Sequence, residues 1–302
     1  MKILLYTLLA LAALLAGNVT GADEPRASFR LGVVNERPQR PDHMLEQMGP
    51  LHRELSARLA ARGIACRPLV IAESVPAMAR HLRAGTVDAV VEGVMPTLAL
   101  ERRTGAVEPS LLVWRKGQRQ YYTVFFVRKD SPVASLGDLT GRTVAFEAPR
   151  STSAFYVPLA TLTAHGLEPV PAEAAARTAE SVPYVFADSE LNQAYWVQRG
   201  KADAGAFNDG DWERTPAHVR DDLRIIYKTQ PLPRWLLSFR SDTAQEVRRA
   251  VIEVLLEMHR DATGRAALQQ AERIARFEHL GAGDREVLDH WRPVLERVET
   301  RF

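Results

Sequence analysis

Three consecutive hydroxyl residues are the part of this 302-residue chain best suited to hold a ligand. Ser151, Thr152 and Ser153 follow a strand-like apolar run, RTVAFE, and stand directly before an apolar pattern typical of a helix. The start of a helix has unpaired backbone N–H groups and the positive end of the helix dipole, so hydroxyl donors placed there can complete an anion site. The alternative is that Ser151 only caps the helix. The sequence therefore predicts either an oxyanion cradle or a capped helix start.

Motifs that would indicate an enzyme are missing from the sequence. It has no Gly-x-Ser-x-Gly elbow, no His-Glu-x-x-His pair and no glycine-rich nucleotide loop. Its eight histidines are scattered, so we expect no metal site, no cofactor and no catalytic activity. Cys66 is the only cysteine, which excludes an intramolecular disulfide. We expect a core thiol there, with a soft ligand for a metalloid as the alternative.

Short apolar runs alternate with amphipathic helical patterns along two successive units, and each unit predicts a mostly parallel sheet flanked by helices. The predicted fold is therefore α/β with two lobes and a ligand cleft between them. We expect one lobe from residues 26–120 plus 229–302 and the other from 121–228, joined by a pair of strands. Tyr121 begins a β-prone run, in which Tyr121 and Tyr122 should face opposite sides.

The amino terminus has the pattern of a secretory signal peptide. Lys2 precedes an apolar run at 3–16 that is too short to span a membrane, and small residues at Thr20-Gly21-Ala22 provide a cleavage site. We therefore predict a signal peptide at 1–22 and a periplasmic protein. The formal charge is +2, and basic blocks interleaved with aromatic residues are missing, so nucleic acid is not an expected partner.

The run YYTVFFVRKDSPVASLGDLTGRTVAFEAPRSTSAFYVP, at 121–158, carries a family resemblance. It resembles the central segment of the periplasmic phosphate-, phosphite- and phosphonate-binding proteins of ABC importers. The runs HLRAGTVDAVVEG and RGKADAGAFND extend the similarity over nearly the whole exported chain. The resemblance implies the two-lobed type II periplasmic binding protein fold, with the ligand between the lobes. It also implies the following contacts to the oxyanion or the cleft: Tyr121, Ser151, Thr152, Ser153, Asn208 and Asp209.

The chain departs from this family at two positions. Glu190 stands where a histidine is common, and Thr97 stands at a tyrosine position in a predicted loop, EGVMPTL, whose first residue, Glu92, ends a strand. Two carboxylates facing the cleft would repel a dianion by several kcal/mol. Three interpretations stay open: an amine-bearing phosphonate whose ammonium contacts Glu92, Glu190 or Asp209, a weakly ionised oxyanion such as protonated phosphite or a metalloid acid, or glutamates that face solvent.

The resemblance also implies the partners. A small oxyanion is the expected ligand, and the protein would deliver it to the permease of an ABC importer. The same fold can instead report a ligand to a membrane sensor kinase, and the sequence does not choose between the two roles. A monomer is expected in either case.

Overall fold

The structure is a computed structural model that describes residues 27–35, 40, 42–149, 151–174 and 178–298. The signal peptide predicted at 1–22 lies outside the described residues. Within the described ranges, none of the helices combines the length and the apolar character needed to cross a membrane.

Strands and helices alternate along the chain. The strands are β1 (Ala27–Phe29), β2 (Leu31–Val34), β3 (Ile64–Cys66), β4 (Val70–Ala72), β5 (Ala89–Glu92), β6 (Val107–Val113), β7 (Gln120–Tyr121), β8 (Thr123–Arg128), β9 (Val144–Phe146), β10 (Glu168–Pro171), β11 (Ser181–Phe186), β12 (Ala204–Asn208), β13 (Leu223–Lys228), β14 (Leu232–Pro233), β15 (Trp235–Arg240) and β16 (Phe277–His279). The helices are α1 (His43–Ala60), α2 (Val75–Arg83), α3 (Val94–Thr104), α4 (Val157–Ala164), α5 (Glu190–Gln198), α6 (Asp209–Arg214), α7 (Ala217–Arg220), α8 (Gln245–Glu257), α9 (Ala262–Gln270) and α10 (Ala282–Val298).

Twelve of the described strands form two mixed six-stranded sheets, one for each lobe, and the other four form two short pairs, β1 with β3 and β7 with β14. The first sheet has the order β16-β6-β15-β5-β2-β4, in which β2 is parallel to β4 and β5 while β15 is antiparallel to both neighbours. The second has the order β10-β11-β9-β12-β8-β13, parallel from β10 to β12 and antiparallel at β8 and β13. The predicted α/β class with two sheets flanked by helices is confirmed.

The second sheet draws its strands from residues 123–228, and the first takes strands from both sides of that segment. The chain crosses between them twice, at β7 and β14, which pair antiparallel through Tyr121 with Leu232 and Gln120 with Pro233. This short pair is the two-strand connection that the sequence predicts. It places Tyr121 and the residues after Pro233 between the lobes.

Local signals in the sequence set many helix boundaries. Ser74 caps α2 by accepting the Ala77 N–H at 3.3 Å, and Gly85 ends that helix with φ +68°, a left-handed conformation that glycine adopts readily. The prediction of a loop at EGVMPTL is wrong, because α3 begins there at Val94. Pro96 lies in the first turn of α3, where the missing N–H of a proline has no helical partner to lose.

The apolar core is continuous between the lobes. One cluster of fully buried side chains extends from Leu98 on α3, past Leu232 in the connection, to Phe146 in the second sheet, and Trp291 on α10 belongs to it. Helix α10 packs against both α3 and α4. The C-terminal helix is therefore in contact with both lobes.

Candidate functional site

A cavity of about 610 Å³ lies between the two sheets. Its wall comes from both lobes: Arg40, Gly93, Arg115, Lys116, Arg234 and Trp235 from the first sheet's side, Tyr121 from the connection, and Glu147, Ala148, Ser151, Thr152, Ser153, Asp188, Ser189, Glu190, Asn208 and Asp211 from the second sheet's side. The volume falls in the range of pockets that hold small molecules.

The three hydroxyl residues, here called the hydroxyl cradle, lie on the second-lobe wall of the cavity. Ser151 Oγ accepts the Ala154 N–H at 3.1 Å, so Ser151 is the cap that the sequence predicts. A π-helical turn, Thr152–Tyr156, follows the cap and continues into α4. The backbone carbonyl of Ser153 accepts the Thr123 hydroxyl at 2.9 Å, which fixes the cradle to the second sheet.

Neighbouring groups hold the cradle in place. Asn208 is only 2% exposed, and its Nδ2 donates to Ser153 Oγ at 3.1 Å while its Oδ1 accepts the Asp211 N–H at 3.1 Å. Because Ser153 Oγ accepts this bond, its own proton can point to a ligand. On the opposite wall, a methyl group added to Gly93 would lie 3.4 Å from Thr152 Oγ1. The start of α3 therefore approaches Thr152 of the cradle closely at this edge of the cavity.

Arg234 is a buried cation in the cavity wall. It is 7% exposed, its Nε has no hydrogen-bond partner among the described residues, and no described carboxylate forms an ion pair with it. Its guanidinium lies 4.9 Å above the ring of Tyr121, which is itself 3% exposed. Burial and the neighbouring charge of Arg115 lower the pKa of Arg234. A group in this position is short of negative charge.

Two further cations come from the turn after β6. Arg115 is held on both sides, because its guanidinium lies 3.9 Å above the Trp235 ring and its Nε donates to Glu272 at 2.9 Å. Lys116 has φ +54° and forms no ion pair with any described residue. Burial, followed by the charges of Arg115 and Arg234, lowers the pKa of Lys116. The cavity thus holds two cations that form no ion pair with a described residue, although the negative charge of Asp211 lies near both.

A carboxyl pair lies on the second-lobe wall. Burial raises the pKa of Glu190, and the negative charge of the adjacent Asp211 raises it further. Asp211 also forms an ion pair with Arg214. The wall near Glu190 therefore favours a proton or a donor group of a ligand over a second negative charge.

The structure brings six of the nine predicted site residues to this cavity wall: Tyr121, Ser151, Thr152, Ser153, Glu190 and Asn208. Tyr122 faces away and packs in the second-lobe core, in keeping with the predicted alternation. Glu92, Thr97 and Asp209 do not line the cavity.

Each of these three residues has a physical reason for its position. Glu92 is 4% exposed, and its Oε1 accepts the Val34 N–H at 2.5 Å within the first sheet. Thr97 is fully buried on α3, because the segment EGVMPTL, predicted as a loop, is helical from Val94 onward. Asp209 starts α6 with its N–H bonded to the Tyr122 carbonyl, and burial raises the pKa of its carboxyl. Of the two glutamates whose orientation the sequence leaves open, Glu190 lines the cavity and Glu92 does not.

The cations Arg115, Lys116 and Arg234 were missed from the sequence. They are three among 39 Lys and Arg residues, and no local motif separates them from the charged residues on helix surfaces. One positional signal could have identified Arg234. It directly precedes β15, the first strand of the first sheet after the chain leaves the second lobe. In the described part of the chain, no group of three or more His, Cys, Asp and Glu side chains is placed to hold a metal ion.

Cys66 lies away from this cavity, on β3. It is partly buried, its Sγ is 3.6 Å from His52 Nε2, and burial raises the pKa of the thiol. This setting agrees with the expected thiol packed against the core.

Comparison with known proteins agrees with this architecture. Two structures of XAC2383 from Xanthomonas citri, one bound to chloride and one to ATP, are 30% and 29% identical to this chain, each with a TM-score of 0.79. Each covers 91% of this chain, and 99% and 98% of the respective XAC2383 chain. PhnD1 from Prochlorococcus marinus, solved with methylphosphonate, shares the fold at 16% identity and a TM-score of 0.60, over 91% of this chain and 99% of that one.

The solved relatives confirm the type II periplasmic binding protein fold. A search of curated proteins finds no match. A family model described as the phosphonate periplasmic substrate-binding protein of ABC transporters matches residues 38–284. Members of this family are not enzymes. They are substrate-binding components that work with a permease. The chain therefore belongs to the family of periplasmic phosphonate-type substrate-binding proteins of ABC transporters.

Proposed function

We propose that this protein binds an organic phosphonate or a related phosphoryl anion in the central cavity and delivers it to an ABC importer. The observation that carries the proposal is the placement of Lys116 and Arg234, two cations that form no ion pair with a described residue, on the same cavity as the hydroxyl cradle. A phosphoryl group offers the matching negative charge and acceptor oxygens.

The two walls supply complementary contacts. Ser151, Thr152 and Ser153 offer hydroxyl and backbone donors on the second-lobe wall, while Arg234 and Lys116 approach from the first lobe. A phosphonate dianion would neutralise both cations. Because each lobe supplies part of the binding set, the ligand would hold the lobes together.

The carboxyl pair indicates what else the ligand carries. Glu190 has a raised pKa and faces the cavity beside Asp211, so it suits a ligand donor such as an ammonium, a hydroxyl or a protonated phosphoryl oxygen. The cavity, at about 610 Å³, leaves room for a substituent on the phosphorus. These two features favour a substituted phosphonate, for example an aminoalkylphosphonate, over phosphite or a metalloid acid.

Three further statements belong to the same proposal. Residues 1–22 act as a cleaved signal peptide, the mature chain works as a monomer, and the lobes comprise residues 26–120 plus 229–302 and residues 121–228. The strand order supports these lobes, with α10 in contact with both. No observation on the described residues favours the sensor-kinase role, and we do not propose it.

Isothermal titration of the mature protein, refolded to remove ligand acquired during expression, tests the proposal. We expect methylphosphonate and 2-aminoethylphosphonate to bind with a stoichiometry of one, the amine-bearing ligand more tightly, and sulfate to bind more weakly than either. The proposal would be overturned if no phosphonate or phosphate bound, or if sulfate bound as tightly as the phosphonates.

A further inference from the structure

A second cavity of about 310 Å³ lies in the first lobe, next to the central one. Its wall includes His43 and Gln47 near the start of α1, and Glu272 and Arg273 just after α9. Arg115 and Lys116 line both cavities. The turn that carries these two residues is thus the shared boundary of the two spaces.

Positive charge exceeds fixed negative charge around this second cavity. Arg115, Lys116 and Arg273 line it together with one carboxylate, Glu272. Glu272 is already engaged, because it accepts a hydrogen bond from Arg115 Nε at 2.9 Å. Arg273 is exposed and forms no ion pair with any residue that the structure describes. Two cations, Lys116 and Arg273, therefore face this space without an ion-pair partner among the described residues.

The backbone places these cations side by side. Lys116, Glu272 and Arg273 have φ values of 54°, 55° and 51°, in the left-handed region that costs free energy for residues other than glycine. Two hydrogen bonds hold the segments together, from Lys116 N–H to the Glu272 carbonyl at 3.1 Å and from Gly117 N–H to the Arg273 carbonyl at 3.2 Å. Costly backbone conformations are commonly kept where they position functional groups.

Arg115 and Lys116 differ in how firmly they are held. Arg115 is fixed between Trp235, which lines the central cavity, and Glu272, which lines the second one. Lys116 has no such restraint and contributes to both walls. The two cavities therefore adjoin at this turn, and Lys116 borders a ligand group in either one.

We infer that the second cavity is a subsite for a second anionic group of the ligand. The inference rests on the proposed function, because it assumes a phosphoryl group on the hydroxyl cradle. The preferred ligand class is then a phosphonate or phosphate ester whose substituent ends in another phosphoryl or carboxylate group. Lys116 and Arg273 bind this distal group, in a cavity that Gln47 also lines.

Titration with alkane diphosphonates of increasing chain length tests this subsite. The affinity of each diphosphonate is compared with that of its partner compound, the alkylphosphonate of equal chain length. In the wild-type protein we expect at least one diphosphonate to bind about ten-fold more tightly than its partner, which corresponds to about 1.4 kcal/mol. Arg273→Asn keeps a residue that tolerates the left-handed backbone, and it should remove most of this gain without changing alkylphosphonate affinity. Arg249→Gln is the matched control, since Arg249 is exposed on α8 and lines neither cavity.

The subsite is refuted if no diphosphonate gains affinity over its partner, or if the gain persists in Arg273→Asn. Either result leaves the proposed function standing as long as methylphosphonate binds the wild-type protein. Failure of every monophosphonate to bind would instead refute the proposed function. Unfolding midpoints of both variants, measured without ligand, exclude loss of the fold as the cause.

Discussion

Arg234 is the residue whose environment is explained best by a bound anion. A buried guanidinium without a carboxylate partner has lost hydration without gaining an ion pair, which costs free energy in the unliganded protein. An anion in the cavity would restore that lost interaction. Removal of this charge should therefore weaken ligand binding but should not destabilise the empty protein.

Arg234→Gln tests this expectation. Loss of the charge should weaken methylphosphonate binding by about 10- to 100-fold, as expected for a hydrogen bond to a charged group, and should not lower the unfolding midpoint of the empty protein. Titration calorimetry and thermal unfolding measure the two effects. Arg249→Gln, with the same charge change on an exposed helix, should alter neither. Unchanged affinity in Arg234→Gln would rule out a role for Arg234 in binding.

Glu190 predicts a pH dependence of stability. Its pKa is raised in the fold above the ordinary value of 4.5, so the protonated form is favoured and stability falls as the pH rises from about 4.5 through the raised pKa. Glu190→Gln cannot ionise. The variant should therefore melt a few degrees above the wild type at pH 8 and at nearly the same temperature at pH 4.

Thermal unfolding of the ligand-free proteins across this range is the measurement. Glu213→Gln is a suitable control, because it makes the same substitution at a carboxylate that is 76% exposed and does not line the cavity. A wild-type protein that is more stable than Glu190→Gln at pH 8 would contradict the direction of the pKa shift.

The residues of the site differed in how far the sequence could predict them. Ser151, Thr152 and Ser153 were predictable because a strand, a turn and a helix start follow one another within a few residues, so the cradle is a local structure. Arg234 and Lys116 reach the cavity only through the crossing of the chain between lobes and a left-handed turn, respectively. Those positions depend on tertiary structure, which a single sequence does not display.

Among the elements, the connection between the lobes has its own restraint. Arg119 precedes β7, and its guanidinium forms a two-fold ion pair with Asp284 at the start of α10, at 2.9 and 2.8 Å. Asp284 is 3% exposed and also accepts the Gly281 N–H at 2.8 Å. The ion pair ties the C-terminal helix to the strand that carries Tyr121.

Asp284→Ala should destabilise the protein by about 2 kcal/mol, because it leaves a partly buried Arg119 with Glu278 as its one remaining carboxylate partner and removes the contact to Gly281. Urea unfolding measures the change. Asp289→Ala on the same helix removes a carboxylate that is 67% exposed and paired with Arg292, and it should cost less than about 1 kcal/mol. Equal losses in the two variants would show that the contact at the connection has no special role in stability.

Most elements were predictable from apolar periodicity and from glycines after helices, as at Gly85, Gly166 and Gly200, all of which have positive φ. Helix α3 was not predictable in this way. A proline such as Pro96 in EGVMPTL favours a loop unless it is known to lie in the first turn of a helix. A proline in the first turn is compatible with a helix, and the apolar residues that follow bury α3 against the first sheet.

At the scale of the whole molecule, the two lobes share one continuous core and two crossing strands, and the cavity lies where their walls meet. An anion bound by groups from both lobes should favour the closed arrangement over more open ones. Small-angle X-ray scattering should show a smaller radius of gyration with saturating methylphosphonate than without it. The same radius in both conditions would contradict closure of the lobes on the ligand.

The most direct test of the central claim is a calorimetric titration of methylphosphonate into the wild-type protein and the double variant Thr152→Ala/Ser153→Ala. If these hydroxyls hold the phosphoryl group, the wild type binds one equivalent and the double variant binds at least about ten-fold more weakly, with an unfolding midpoint close to that of the wild type. Equal affinity in the two proteins would contradict the claim that the ligand binds at the hydroxyl cradle.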